Sequence, residues 1–285
     1  MAYTYSKVMD DTQGQANVAD CFTSFGLQGT YPLDQHIDRG PACFDSTNNL
    51  EASAVYHLPG IATGHGFVST ATNGWSISTI VSKQSGYPVT PLVFVNRSNS
   101  GVLQGQSDEV VENTPALIAK YFNSSVCTSM PGQPAFGSNP CLYTPIPFNP
   151  KTVVTGNLNE YFNPDMFSMA PELPSPEGGS NFVGQLGSAG RNILRGPGSS
   201  GWDFSLVKDT KVKWLGEAGS VQFRAEFFNV INHPTFKFGF LAPILFTGLP
   251  ADMGPFSEMP RATNSQITTT DGQPRNIQFA LKVMF

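Results

Sequence analysis

Histidines and serines are the first side chains to consider for catalysis, and their spacing in this chain does not favour it. The histidines, His36, His57, His65 and His233, stand far apart in the sequence. None belongs to an HExxH motif or to another close ligand spacing, so the pattern predicts no catalytic metal. The GxSxG motif of serine hydrolases is also absent. We therefore expect a protein that is not an enzyme and that needs no cofactor.

Two arginines lie in the glycine-rich stretch GSAGRNILRGPGSSG, at residues 187–201. The stretch does not end in the GK[ST] of a phosphate-binding loop, and it does not lead from a buried strand into a helix. Arg191 and Arg195 are candidates for binding an anionic ligand. The favoured alternative is that both are loop arginines that bond backbone carbonyls.

Four cysteines, Cys21, Cys43, Cys127 and Cys141, lack the CxxC spacing of a zinc site. They fall into two pairs, each inside one region that has no strand pattern. This arrangement predicts the disulfides Cys21–Cys43 and Cys127–Cys141, which would fit an oxidising compartment. Four free buried thiols are the alternative.

The elements that must position these residues are strands with one apolar face. In the last ten residues, NIQFALKVMF, apolar side chains occupy every second position from Ile277 to Phe285. Side chains alternate between the two faces of a strand, so one face here is apolar. A strand of about ten residues with this alternation is typical of a transmembrane barrel. The closing strand of a soluble sandwich is the alternative.

The same alternation recurs along the chain and predicts an all-β, antiparallel barrel segment with long loops. The predicted strands lie near residues 2–8, 48–58, 74–85, 202–214, 221–231 and 276–285. Long loops are expected at residues 9–47, 86–201 and 232–275. Within the second loop, the pattern predicts one helix at 109–122 and an aromatic turn at 161–167, and otherwise irregular structure.

Composition narrows the possible partners and compartments. Charged residues make up 13% of the chain, about half the usual share, and phenylalanine alone occurs 22 times. A net charge of −5 gives no reason to expect nucleic acid, which binds cationic surfaces. The chain contains no run of 18 apolar residues, so its sequence does not predict a transmembrane helix. Residues after Met1 do not read as a signal peptide, so we expect a piece of a longer exported protein.

Several segments resemble a known family: GRNILRGPG, WDFSLVKD, QFRAEFFNVINHPTF and the closing QFALKVMF. They are similar to the C-terminal barrel of TonB-dependent outer-membrane receptors, in the subgroup with a carboxypeptidase-regulatory-like N-terminal domain. The resemblance covers about half of the chain. It implies energised uptake of a scarce nutrient, such as a siderophore, a vitamin or an oligosaccharide. The implied partners are outer-membrane lipid, the remaining barrel and plug, the barrel-assembly machinery and an inner-membrane energy-coupling complex.

The resemblance also implies a bacterial outer-membrane location, with the C-terminus periplasmic and the long loops extracellular. Strand alternation then predicts the lipid-facing residues Phe204, Leu206, Phe223, Phe227, Phe279, Leu281 and Val283. A periplasmic ring of interfacial aromatics is expected at Tyr3, Tyr56, Trp75, Trp214 and Phe285. Terminal Phe285 resembles the aromatic residue that the barrel-assembly machinery recognises.

A function of a different class remains open at the level of the sequence. A secreted all-β binding or adhesion module with disulfide-stapled loops would account for the cysteines and for the 28 glycines and 23 prolines. It would not account for apolar faces that repeat at membrane-spanning length. Dependence on detergent separates the two hypotheses.

Overall fold

The structure is a computed structural model and contains short and long strands with few helices. It describes residues 1–11, 36, 39–62, 66–93, 110–121, 145–169, 172–174, 182–184, 187–238, 244–246 and 265–285. The strands are β1 Ala2–Tyr5, β2 Met9–Asp10, β3 Gly40–Pro41, β4 Asn48–His57, β5 Trp75–Gln84, β6 Pro88–Val89, β7 Leu92–Val93, β8 Val110–Glu112, β9 Val154–Asn157, β10 Glu160–Phe162, β11 Phe167–Met169, β12 Glu172–Pro174, β13 Phe182–Gly184, β14 Leu194–Arg195, β15 Ser199–Lys211, β16 Ser220–Phe228, β17 Thr235–Lys237, β18 Ile244–Phe246, β19 Thr269–Asp271 and β20 Asn276–Met284. The helices are α1 Phe67–Thr72, α2 Pro115–Tyr121 and the 3-10 turns Pro164–Met166 and Lys213–Leu215.

Six of these strands form one antiparallel sheet, called the main sheet, in the order β1-β4-β5-β15-β16-β20. They overlap the six predicted ranges, and each strand pairs with the next long strand along the chain. The predicted fold class, an all-β antiparallel barrel segment, is therefore confirmed. The sheet is open, because β1 and β20 are its two edges.

The main sheet has two different ends. Residues 58–74 and 212–219 join strands at the turn end, and the three longer connections join strands at the loop end. In the first connection, described residues 66–74 contain α1, and residues 212–219 contain the 3-10 turn Lys213–Leu215. Gly216 in this second connection has a φ of 110°, a conformation that favours glycine.

The register makes one face of the main sheet apolar across all six strands. Directly paired residues share a face, and Tyr56 pairs with Ile77, Ile77 with Leu206, and Leu206 with Ala225. Ala225 in turn pairs with Phe279 on the edge strand β20. We call this side the apolar face and the other side the polar face. Val55, Ile80, Val207 and Phe228 are larger apolar residues on the polar face.

Four strand boundaries differ from the sequence prediction by three residues, among them the ends of β15 at Lys211 and of β16 at Phe228, predicted at residues 214 and 231. Strand β1 ends at Tyr5 rather than at residue 8, because Val8 donates its backbone N–H to a side-chain oxygen of Asp45 at 2.7 Å. Strand β15 begins at Ser199, where the glycine-rich stretch continues to pair with β5 instead of forming a turn.

The strands are staggered in one direction at the turn end. Trp75 is the first residue of β5. It pairs with Lys208, which pairs with Phe223, which in turn pairs with Leu281, so Trp75 and Leu281 lie at the same level of the sheet. Strand β20 continues three residues beyond that level, to Met284. The end shifts by three residues over three strand spacings, an average of one residue per spacing; the shift itself lies between β5 and β15, because Lys211, Ser220 and Met284 are level. One residue of about 3.3 Å per strand spacing of about 4.8 Å corresponds to a strand tilt of about 35°. Membrane barrels have tilts of about 35–45°.

The loop end is staggered in the same direction. Phe204 pairs with Phe227 on one side and with Thr79 on the other, so Phe227 and Thr79 lie at the same level of the sheet. Phe227 is one residue from the end of β16, whereas Thr79 is five residues from the end of β5. Both ends of the sheet therefore step together, which is what tilted strands of constant length require.

The prediction that residues 86–201 are largely irregular is wrong for the part that the structure describes. This region contains β6–β14 and α2, and it has a buried core. We call that core the loop core; it consists of Val110, Val153, Phe162, Met166, Phe167 and Leu194. Its members come from distant segments and follow no local periodicity, so strand and helix patterns did not reveal them.

The helix predicted at 109–122 is correct only in its second half. Val110 and Val111, which are β-branched, belong to a strand that pairs with β11. The helix begins at Pro115, whose fixed φ suits a first helical position, and Thr114 accepts the Leu117 amide at 3.1 Å as a cap. In the described part of the chain, no helix is long and apolar enough to cross a membrane.

Candidate functional site

The apolar face of the main sheet is not covered by other elements that the structure describes. Phe279 and Leu281 are 69% and 68% exposed. Among the buried apolar residues of the described part, Ala225 alone belongs to the main sheet. A soluble sandwich would pack this face against a second sheet. The apolar face is therefore a candidate membrane-contacting surface.

The register brings the predicted lipid-facing residues together on this face. Phe204 pairs directly with Phe227, and their rings lie 6.0 Å apart. Phe223 pairs with Leu281, and its ring stacks on Phe279 with 6.2 Å between the ring centres. Leu206 and Val283 lie on the same face through their pairs with Ala225 and Val221. Contact of these residues with lipid stays a prediction.

The residues of the predicted ring of interfacial aromatics do not all lie at one end of the main sheet, and their place at a membrane interface stays a prediction. Tyr56, Trp75, Trp214 and Phe285 lie at the turn end of the main sheet. Tyr3 pairs with Leu50, six residues before Tyr56 on β4 and about 20 Å away along that strand. The reason is that β1 meets only the first residues of β4, a register that the sequence of β1 does not specify. Tyr3 and Trp202 are exposed aromatics toward the loop end of the apolar face.

The charge pattern of the two faces was not predicted from the sequence. On the apolar face the strands of the main sheet carry two ionisable cations, Lys83 near the loop end and Lys208 near the turn end. The carboxylates of these strands all lie on the polar face; they are Glu51, Asp203, Asp209 and Glu226. Extending the alternation from Trp75 to Lys83 and from Trp202 to Lys208 would have revealed both lysines.

The polar face is a hydrogen-bonded network. Gln222 donates to Asp209 at 2.8 Å, and Arg224 contacts both Gln222 at 3.1 Å and Glu226 at 3.5 Å. His57 lies on this face too. No group of three His, Cys, Asp or Glu side chains that could hold a metal occurs within the described ranges. The arrangement suits contact with water or with polar groups.

Arg195 joins two loops at the loop end of the sheet. Its guanidinium forms an ion pair with the fully buried carboxylate of Asp45 and donates to the Asp45 carbonyl at 2.9 Å and the Gly86 carbonyl at 3.3 Å. Burial acts to raise the pKa of Asp45. Hydrogen bonds from Arg195 and the Val8 amide, together with the charge of Arg195, outweigh burial and lower that pKa.

Arg191 repeats this role four residues earlier. It forms an ion pair with the carboxylate of Asp10 and donates to the Asp10 carbonyl at 2.9 Å. Burial lowers the pKa of Arg191. We call Asp10, Asp45, Arg191 and Arg195 the rim clamp. The favoured interpretation of both arginines, that they bond backbone carbonyls, agrees with these contacts, and each also pairs with a carboxylate.

Asn192 lies between the two arginines and has a φ of 57°, which asparagine tolerates better than most residues. Its side chain accepts from Thr90 at 2.8 Å and donates to the Pro41 carbonyl at 2.8 Å. Residues 191–195 therefore fasten the first long loop to the second.

The loop core is joined to the third long loop by aromatic rings. Phe162 stacks on Phe238 with 5.2 Å between ring centres, and Ile267 donates its amide to the Leu158 carbonyl at 2.8 Å. The predicted aromatic turn at 161–167 is confirmed: Asn163 caps the 3-10 turn Pro164–Met166. Described parts of all three loops therefore form one connected assembly.

A buried amide holds the centre of this assembly. Asn113 donates to the Asp165 carbonyl at 2.8 Å and accepts from the Ser168 hydroxyl at 2.5 Å. Burial raises the pKa of the neighbouring carboxyl groups of Glu112 and Asp165. These acids therefore ionise less readily than acids in water.

Cys43 is disulfide-bonded. Cys21, Cys127 and Cys141 lie outside the described residues, so the pairings Cys21–Cys43 and Cys127–Cys141 stay predictions. Cys43 lies two residues before Asp45, which places its bond close in sequence to the rim clamp.

Comparison with known proteins gives one family. The family model "Outer membrane beta barrel domain" matches residues 1–278 of the 285. Searches of curated proteins and of solved structures return no significant match. The match spans nearly the whole chain and agrees with the six-stranded antiparallel sheet and its apolar face. The chain therefore belongs to the outer membrane beta-barrel domain family, and its place is the outer membrane.

Proposed function

We propose that the chain forms part of the barrel wall of a TonB-dependent outer-membrane receptor that takes up a scarce nutrient. The observation that carries the membrane role is the uncovered apolar face, which continues across all six strands of the main sheet. The receptor class rests on the resemblance of the segments around GRNILRGPG and QFALKVMF. Candidate nutrients are a siderophore, a vitamin or an oligosaccharide.

The proposal includes an orientation. The turn end is periplasmic and the loop end is extracellular, because the periplasmic turns of such barrels are short and the external loops are long. The rim clamp and the loop core then hold the external loops in one assembly above the membrane. That assembly contributes to the surface that first meets the nutrient.

The proposal also names partners. Lipid contacts the apolar face, and further strands and a plug complete the barrel. The barrel-assembly machinery recognises Phe285 at the end of β20, and an inner-membrane complex supplies energy for transport. The disulfide Cys21–Cys43 would close the first loop beside the rim clamp, and Cys127–Cys141 would close part of the second loop.

Uptake experiments test the receptor class. Cells that express the native protein are given a labelled siderophore, vitamin or oligosaccharide, with and without a protonophore that removes the inner-membrane proton gradient. We expect saturable uptake of one compound that stops when the gradient is removed. Uptake that is unchanged by the protonophore would indicate a passive pore and would reject the receptor class. Recovery of the protein in the soluble fraction would reject the membrane role as well.

A further inference from the structure

We propose that Lys208 and Trp75, at the turn end of the apolar face, form a binding site for the phosphate of an anionic phospholipid. The inference rests on the proposed function, because it takes the apolar face to be embedded in a bilayer. It goes further by naming the site and the charge of the lipid. Its support comes from charge distribution, local geometry and depth.

The charge distribution selects an anionic partner. Lys83 and Lys208 are the charged residues that the main sheet carries on its apolar face, and the carboxylates of its strands lie on the opposite face. A lipid that approaches the apolar face therefore meets positive charge at both borders and no strand carboxylate. Basic residues near a membrane surface attract anionic lipids.

The local geometry fixes the ammonium group in place. The Lys208 ammonium donates to the Asn73 carbonyl, lies 3.5 Å from the Asp209 carbonyl oxygen and sits 5.7 Å from the centre of the Trp75 ring. The Trp75 indole donates to the Ala71 carbonyl at 2.8 Å, which ties the ring to α1. An ammonium group has three N–H donors, so two backbone carbonyls leave one donor for a lipid phosphate.

The position along the strand matches the depth of a headgroup. Lys83 pairs with Ser200, which is eight residues from Lys208 on β15, or about 26 Å along the strand. With a tilt of about 35°, this separation becomes about 22 Å across the membrane, close to the apolar band of about 25 Å in outer-membrane barrels. The two lysines therefore lie at opposite borders of the apolar band.

Residues beyond Lys208 strengthen the interfacial character of the turn end. Lys213 and Trp214 are exposed in the 3-10 turn that follows β15. Phe67 and Val68 of α1 are exposed in the other connection, which also supplies the Asn73 carbonyl. Exposed tryptophan beside lysine is typical of a membrane interface, where both can reach headgroups. Glu217 is the acid in residues 212–219 and follows Lys213 and Trp214 in the sequence.

Tryptophan quenching by brominated lipids measures binding at this site. The full chain, with Trp202 and Trp214 replaced by phenylalanine, is folded into phosphatidylcholine vesicles that contain phosphatidylglycerol. Either lipid is brominated on its acyl chains in separate samples, and quenching of Trp75 reports which lipid is nearby. We expect phosphatidylglycerol to be enriched about fivefold at Trp75 over its share of the bilayer, on the basis of about one Lys charge. High salt should remove this enrichment.

Three variants separate the possible results. Lys208→Gln should abolish the enrichment, Lys208→Arg should keep it, and Lys83→Gln, at the other border, should leave it unchanged. Equal quenching by both lipids in the protein that keeps Lys208 would overturn the lipid site, but it would still place Trp75 in the bilayer. Loss of enrichment in Lys83→Gln as large as in Lys208→Gln would overturn it too, by showing a general effect of charge. Absence of quenching by either lipid would overturn the proposed membrane role itself.

Discussion

Phe204 shows how a single residue can report which face of the main sheet meets lipid. It lies midway on β15 between Lys208 and Ser200, the residue that pairs with Lys83. Its ring lies 6.0 Å from that of Phe227, and its neighbour Ser205 points to the opposite face and contacts Ser78. Phe204→Arg would place a charge at the middle of the apolar band and should cost about 2–4 kcal/mol of folding free energy in a bilayer. Ser205→Arg is the matched control, because it adds the same charge one residue away on the polar face. Equal folding yields of the two variants in vesicles would contradict the assigned faces.

The carboxyl groups at the loop end predict an unusual dependence of loop stability on pH. The pKa of Asp45 lies below its ordinary value of 3.8, so its contribution to stability is complete above 3.8 and is lost as the pH falls through the lowered pKa. The raised pKa values of Glu112 and Asp165 act in the opposite direction. Their ionised forms oppose folding, and this cost disappears as the pH falls toward their ordinary values of 4.5 and 3.8.

We therefore expect the loop assembly to become more stable from neutral pH down to about pH 4.5 and to weaken well below pH 3.8. Hydrogen exchange of residues 188–195, corrected for the intrinsic effect of pH, measures this change. Asp45→Asn should lose part of the stability at neutral pH and should remove the weakening at low pH. A profile for Asp45→Asn that matches the unchanged protein would show that the rim clamp does not control loop stability.

At the scale of elements, the loop core should unfold without the main sheet. Phe162 is fully buried and packs on Tyr161 and Phe238, so Phe162→Ala should destabilise the loop assembly by about 3–5 kcal/mol. Strands of the main sheet share few contacts with this core and should keep their pairing. Limited proteolysis should then cut the loops faster while the strands stay protected. Phe44→Ala is the control, since the Phe44 side chain is 58% exposed.

Strand β20 carries a second prediction at this scale. Phe285 follows β20 and is 93% exposed, so its removal changes little inside the structure. If the barrel-assembly machinery recognises this aromatic residue, Phe285→Ser should lower the amount of assembled protein in the outer membrane, and Phe285→Trp should preserve it. The measurement is the amount of heat-modifiable, folded protein in isolated outer membranes. Equal amounts for both variants would reject the recognition role.

The main strands could be predicted from sequence because their signal is local. Alternation within ten residues of β20 or β16 already shows which side chains share a face. The loop core could not be predicted in this way, since Phe162 meets Phe238 across 76 positions of sequence and no period relates them. For a similar reason, the sequence does not predict where Tyr3 lies. Its level in the sheet depends on pairing with Leu50, a contact that the four residues of β1 do not encode by themselves.

In the candidate site, too, the features set by local alternation were predictable and those set by distant contacts were not. The residues of the apolar face were predictable because each follows from alternation along its own strand. The rim clamp was only half predictable: Arg191 and Arg195 stood out in a glycine-rich stretch, but their partners Asp10 and Asp45 lie about 150 or more residues away. Lys83 and Lys208 were visible in the pattern, and their meaning depended on knowing that the strand carboxylates all lie on the other face.

At the scale of the whole molecule, the main sheet has the tilt of a barrel but not the closure. From β5 to β20 its turn end shifts by three residues over three strand spacings, which corresponds to an average tilt of about 35°. Known membrane barrels of this type have at least about eight strands. Strands β1 and β20 remain as edges, and β20 offers nine residues of backbone on its outer side. In a bilayer, unpaired backbone groups cost several kcal/mol each, so these edges must be paired there.

Hydrogen exchange along β20 tests this requirement. Strand β20 pairs with β16 on one side, so alternate amides of Asn276–Met284 point toward the open edge. We expect all amides of β20 to be protected in native outer membranes, where a further strand covers the edge. In the isolated chain in detergent, the amides that point toward the edge should exchange at least tenfold faster than those bonded to β16. Fast exchange of the same amides in native membranes would mean that β20 is a true edge, and the main sheet would then have to bury its apolar face without closing into a larger barrel.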